Sequence, residues 1–204
     1  MNKQLPNRLI VAITGASGAI YGVRLLEGLS QSGIETHLIL SDAAKITLKT
    51  ETDYSVSQVQ RLASVVHHSK DIGASISSGS FDTRGMIIAP CSTRTLSEIS
   101  SGVTTSLVSR AADVVLKERR RLVLLLRETP LHLGHLRSMV NVTEMGAIVM
   151  PPVPAFYHRP TSLDEVIAHT VNRCLDLFNV APSSMFRWAG LGERPSLRGE
   201  KEDE

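Results

Sequence analysis

Arg127 and Glu128 follow directly on Leu122–Leu126, five aliphatic residues without a polar interruption. Charges at the end of a buried apolar segment are costly unless they meet a ligand or an ion partner. These two are therefore the first candidates for chemistry. A second candidate is TGASGAIYG, residues 14–22, with glycines at 15, 18 and 22 after an apolar run. A tight turn of small residues leaves the backbone N–H groups around Gly15, Ala16 and Ser17 open at a helix start, where an anion is favoured. Ser17 adds a hydroxyl. The spacing departs from the dinucleotide fingerprint G-x-G-x-x-G. Ser41 ends the next apolar run, where a nicotinamide ribose would require an acid, although Asp42 follows it.

APCSTRTLSEI sets Cys91 ahead of Ser92, Thr93, Arg94 and Thr95 at a helix start. Hydroxyl residues there are caps by default. The same terminus would favour a Cys91 thiolate, but no histidine stands in a partner motif, and a small buried side chain is the simpler role. Arg110 and Lys117, seven apart, share a helix face. The cluster at 118–121 complements a helix C-terminus. Arg173 lies in an otherwise apolar helix and either faces a ligand or only extends its stem along the surface. His132 and His135 have i, i+3 spacing but no third ligand, and His67 and His68 are equally plain, so no metal site is expected. The two cysteines, Cys91 and Cys174, are far apart and form no C-x-x-C pair, so no disulfide framework or structural zinc site follows from them.

Positioning these groups requires short strands alternating with longer helices. Near-continuous Val, Ile and Leu at 8–15, 35–41, 85–90, 121–127 and 146–151 predict buried parallel strands. Helical patterns occupy 19–32, 42–50, 56–64, 93–101, 105–118, 131–144 and 162–178. The alternation predicts an open, doubly wound α/β sheet with helices on both faces, a Rossmann-like (flavodoxin-like) single domain over 1–190. The Ser/Gly-rich stretch 75–85 reads as a loop, and 151–160, with four prolines, as an extended surface segment. Residues 191–204 form a charged tail expected to be flexible. In such a sheet ligands sit beyond the carboxyl ends of the strands, where Gly15–Ser17, Ser41, Ser92–Thr95 and Arg127–Pro130 all fall.

A chain of 204 residues suffices for one full core. A net charge of +2 and 4% aromatic residues argue against a nucleic-acid partner and base-stacking platforms. No apolar run approaches 18 residues and the first residues lack a signal-peptide core, so no membrane span and a cytoplasmic location are expected.

The blocks TGASGAIYGVRLL, SSGSF, PCSTRTL, RAADVVLKERR, RETPLHLGHL, PPVPAFYHRP and VNRCLD, in order over about residues 8–190, resemble the UbiX flavin prenyltransferases. Flavin-containing cysteine decarboxylases are similar in fold, but their Pro-Ala-Ser-Ala-Asn-Thr and Pro-x-Met-Asn signatures are absent. The resemblance implies a flavoprotein assembled as a dodecamer of trimers. It implies transfer of a dimethylallyl group from dimethylallyl monophosphate to N5 and then C6 of reduced FMN, without metal. The prenylated FMN would serve a UbiD-type decarboxylase, in ubiquinone synthesis or aromatic acid degradation.

Residue by residue, Gly15, Ala16, Ser17, Ser41, Ser92, Thr93, Arg94, Thr95 and Arg127 match the family's FMN contacts. Arg110, Lys117, Tyr157 and Arg173 match its prenyl-phosphate residues, the first two able to reach from a neighbouring subunit. Ser17, Glu51, Glu128 and Trp188 match positions implicated in catalysis, the two acids in proton movement and phosphate handling. Tyr157, Phe81 and Trp188 are expected to wall the allyl group. Ser138 stands where many relatives carry Asn, away from all these positions. The alternatives are a hydroxyaromatic acid decarboxylase subunit or an FMN-binding carrier without chemistry. A nicotinamide dehydrogenase is weakened by the glycine spacing and by the lack of a Tyr-x-x-x-Lys pair.

Overall fold

The computed structural model describes residues 6–180, so Trp188 and the 191–204 tail lie outside the described residues. The strands are β1 (Arg8–Ile13), β2 (Glu35–Leu40), β3 (Val65–His68), β4 (Gly85–Cys91), β5 (Arg121–Leu126) and β6 (Ile148–Val149). The helices are α1 (Ala19–Gln31), α2 (Asp42–Glu51), α3 (Val56–Arg61), α4 (Thr93–Ser100), α5 (Leu107–Lys117), α6 (Leu133–Glu144) and α7 (Leu163–Asp176). All strands pair in parallel, in the order β3-β2-β1-β4-β5-β6. This is the doubly wound order; without the β3 edge it is the flavodoxin-like one.

Alternation along each strand splits the core into two layers. Leu9, Val11 and Ile13 of β1 join Leu38, Ile87 and Val123 under α1, α2, α3 and α7. Ile10 and Ala12 join Ile39, Met86, Ile88 and Leu124 under α4, α5 and α6. Burial on both faces is why these strands read as unbroken aliphatic runs rather than as alternating patterns. The expected strands and helices are all present.

The exception is β3, which sequence periodicity does not announce. It has only four residues, its Val65 and Val66 are 36% and 42% exposed, and it holds its place through the ladder to β2. There His67 Nε2 lies 2.9 Å from Nδ1 of the buried His37. A short edge strand without a buried face leaves no apolar signature. β6 is also shorter than the predicted 146–151, although the Met150 N–H extends its pairing by donating to the Leu124 carbonyl at 2.8 Å.

Candidate active site

From β1 the chain winds one way across the sheet, and from β4 the other, so the ends of β1 and β4 face a crevice at the switch point. One side chain ties its two walls together. The Thr14 hydroxyl, 2% exposed, donates to the Pro90 carbonyl at 2.7 Å and accepts from the Ser92 N–H at 2.9 Å. Sequence reasoning missed Thr14, whose only signal is a hydroxyl at the end of an apolar strand. Thr14→Val removes both bonds and leaves the Ser92 N–H without its acceptor. The expected result is a loss of about 1–3 kcal/mol, read as a lower denaturation midpoint together with weaker flavin binding.

The β1–α1 loop is tight for a steric reason. A Cβ on Gly15 would lie 2.4 Å from the Ala43 Cβ, and Gly18 sits at φ +103°, a left-handed conformation. The N-terminus of α1 already holds an anion, the carboxylate of Glu51 at the end of α2. Its Oε2 accepts from the Gly18 N–H at 2.7 Å and the Ala19 N–H at 3.2 Å. Burial opposes ionisation of Glu51, but these two N–H groups, the Ser17 hydroxyl and the nearby Arg127 outweigh it and lower its pKa. Glu51 is therefore a carboxylate at neutral pH. The turn expected to favour an anion does so, with an internal carboxylate as that anion.

At α4 the Ser92 hydroxyl caps the helix, accepting from the Thr95 N–H at 3.3 Å and lying 3.0 Å from the Thr95 hydroxyl. The N–H groups of Thr93 and Arg94 are the remaining donors of that first turn. Ser41 caps α2 through the Ala44 N–H at 3.0 Å. Arg94 reaches along its own helix to Glu98 at 3.0 Å. Arg127 and Glu128 are exposed at the end of β5. The Arg127 N–H donates to the Cys91 carbonyl at 3.1 Å, and Glu128 Oε1 accepts from the Thr129 N–H at 3.0 Å. The nucleophile option for Cys91 closes: the side chain is wholly buried, and burial pushes its thiol up to about 12. Gly15–Ser17, Ser41, Ser92–Thr95 and Arg127 thus all follow the carboxyl ends of β1, β2, β4 and β5, and Glu51 is hydrogen-bonded to the first of these loops.

The expected phosphate set does not converge within one chain. Arg110 pairs with Asp113 at 2.9 Å, and Lys117 pairs with Glu118. Both lie on α5, over one face of the sheet. Arg173, paired with Asp176 at 2.8 Å, lies on α7 over the opposite face, and the Tyr157 hydroxyl lies 3.0 Å from Nε2 of His169 on that same helix. Lys117 ends α5, with three residues between it and β5, and the rise of β5, about 20 Å, separates it from the crevice. Phe81 is also at the far edge, 5.4 Å under the Arg8 guanidinium and 4.8 Å from His37. It does not wall the crevice of its own chain, a correction to the expectation. His132 caps α6 through the Gly134 N–H at 3.0 Å and stacks on His135 at 3.6 Å. No three His, Cys, Asp or Glu residues among those described gather as metal ligands.

The groups at the crevice fit a flavin mononucleotide: a turn closed to any Cβ, an anion-accepting helix start, and open N–H groups at a second one. Comparisons with known proteins point the same way. Residues 2–174 match the Flavoprotein family. The flavin prenyltransferase UbiX of Escherichia coli K12 is 63% identical over 186 residues, covering 90% of this chain and 98% of the relative. A crystal structure of AnUbiX (PadA1) in complex with FMN and dimethylallyl pyrophosphate has TM-score 0.89 and 50% identity, covering 91% of this chain and 98% of the other. A dodecameric FMN-dependent UbiX-like decarboxylase from Escherichia coli O157:H7 has TM-score 0.87 and 48% identity, covering 90% of this chain and all of the other.

Proposed function

The chain belongs to the Flavoprotein family and, within it, to the UbiX flavin prenyltransferases, and from that premise we propose that it joins a dimethylallyl group to reduced FMN. The observation that carries this reading is the crevice between β1 and β4, where Ser17, Glu51 and Arg127 meet two helix starts. Reduced FMN supplies the ring atoms, N5 and then C6, that receive the allyl group. Gly15–Ser17, Ser41, Ser92–Thr95 and Arg127 hold the cofactor, with the Thr93 and Arg94 N–H groups taking its phosphate.

The substrate is dimethylallyl monophosphate. Arg110, Lys117, Tyr157 and Arg173 surround its phosphate and stabilise the charge that grows there as the allylic C–O bond breaks. Cationic side chains do this without a metal. Glu51, already ionised, and Glu128 take up the proton released on bond formation, a step of modest demand for a carboxylate. Tyr157 and Trp188 shield the allyl group from water.

The assembly is a homo-oligomer, a dodecamer as in the O157:H7 relative. Its support in this chain is twofold: the phosphate-binding residues lie on opposite faces of one sheet, and α6 exposes an apolar stripe. Leu133, Leu136 and Val140, at i, i+3 and i+7, are 59%, 44% and 55% exposed. No helix among the described residues is long and apolar enough to cross a membrane, and both cysteines are free, in keeping with a reducing cytoplasm. The product goes to a UbiD-type decarboxylase.

The substrate assignment is tested by supplying the monophosphate or the diphosphate to protein loaded with reduced FMN, with and without a chelator. Faster turnover of the monophosphate, unchanged by chelation, is expected. Loss of turnover on chelation, or preference for the diphosphate, overturns this assignment.

A further inference from the structure

Arg120 is half-buried and follows α5 through a tight turn. The helix closes on Arg119, whose φ of +56° is left-handed. The Arg119 N–H donates to the Leu116 carbonyl at 3.0 Å and the Arg120 N–H to the Val115 carbonyl at 2.9 Å. From this turn the Arg120 guanidinium makes two bonds to one loop. Nη2 donates to the Gly79 carbonyl at 3.0 Å, and Nη1 donates to the Phe81 carbonyl. A planar fork that spans two carbonyls fixes orientation as well as distance.

The clamped loop is the one against which Lys117 stands. A Cβ on Gly79 would lie 2.8 Å from the Lys117 Nζ and closer still to the carboxylate of Glu118, the ion partner of that lysine. The Gly79 backbone is therefore a floor beside the ion pair, with no side chain between. The loop has fixed points of its own. The Phe81 N–H donates to the Ser78 carbonyl at 3.2 Å, and Ile76, 1% exposed, anchors the preceding residues in the core layer under α5. Lys117 is the mobile member: its side chain is 48% exposed, and a lysine stem samples many rotamers unless a neighbour restricts them.

We infer that Arg120 is a positioning residue that holds the Gly79–Phe81 turn against the end of α5 and so keeps the Lys117 ammonium in place for the phosphate of the allylic substrate. This inference rests on the reading of Lys117 as a phosphate-binding residue. Arg120 acts through the loop and Lys117, not on the substrate.

Titration of the full assembly with dimethylallyl monophosphate tests it, with oxidised FMN bound so that no transfer consumes the ligand. The parent, Arg120→Leu, Arg120→Lys, Gly79→Ala, Lys117→Ala and the Arg120→Leu/Lys117→Ala double variant are compared, and FMN affinity is measured in parallel. Arg120→Leu is expected to weaken allyl phosphate binding about tenfold, the scale of one hydrogen bond. FMN affinity stays unchanged, because the crevice lies at the other end of β5. Arg120→Lys, which still reaches one carbonyl, restores part of the loss. Gly79→Ala keeps Arg120 and displaces only the far ends of Lys117 and Glu118; it weakens binding as well, and decides the question alone if Arg120→Leu fails to assemble. The double variant binds no worse than Lys117→Ala, because Arg120 acts through that ammonium. Affinity of Arg120→Leu or Gly79→Ala within about twofold of the parent, or losses that multiply in the double variant, overturns the inference. With a parent that binds and turns over the allyl phosphate, such a result sinks this inference alone. A parent that binds no allyl phosphate sinks the reading of Lys117, and this inference with it.

Discussion

Subunits carrying Lys117→Ala and subunits carrying Glu51→Ala, each inactive as a pure assembly, are expected to regain about one quarter of the parent rate when assembled together at equal ratio. The expectation follows from the placement of the two residues. Glu51 caps the start of α1 at the crevice, whereas Lys117 ends α5 at the edge where the strands begin. A site that uses both draws them from different copies of the chain. Random mixing leaves about a quarter of such sites with an intact crevice and an intact lysine. Removal of a general base costs about 10²–10⁴-fold and removal of a charge-stabilising donor about 10²–10³-fold, so the recovered activity stands well above either parent variant. Mixed assemblies as inactive as the pure ones would place both residues in one chain's site.

Gly15→Val is expected to lower FMN affinity by at least about a hundredfold, through crowding rather than lost contacts. The added Cβ would meet the Ala43 Cβ at 2.4 Å, a separation that requires the loop or α2 to shift. Either shift moves the wall that Ser17, Ser41 and Glu51 share. Since Ala43 supplies the obstructing atom, Gly15→Ala combined with Ala43→Gly is expected to bind flavin more tightly than Gly15→Ala alone. A flavin titration of the three variants checks this. Equal affinity of Gly15→Ala with and without Ala43→Gly would show that the turn, not the packing, excludes a side chain there.

Much of this was legible in the sequence because burial on both sheet faces writes strands as aliphatic runs, and the cap expected among the hydroxyls after Cys91 is Ser92; the structure adds Ser41, Ser55, Ser106 and Ser162 as caps. The charged pair at 127–128 stood out because it follows such a run. What stayed illegible has physical causes as well. β3 has no buried face, so its valines carry no period. Thr14 looks like any strand-end threonine until its hydroxyl is seen between Pro90 and Ser92. Glu51 lies 33 residues from the N–H it caps, a pairing that spacing cannot reveal. Phe81 reads as a pocket aromatic from SSGSF, yet the preceding loop returns it to the start of β1, where Arg8 covers it.

The most direct test of the central claim is the mass of the flavin after anaerobic incubation of the purified protein with reduced FMN and dimethylallyl monophosphate. The account predicts a flavin heavier by one dimethylallyl unit, formed catalytically and absent when the protein is omitted. Tightly bound FMN recovered at its original mass would contradict it and leave a flavin-binding carrier in its place.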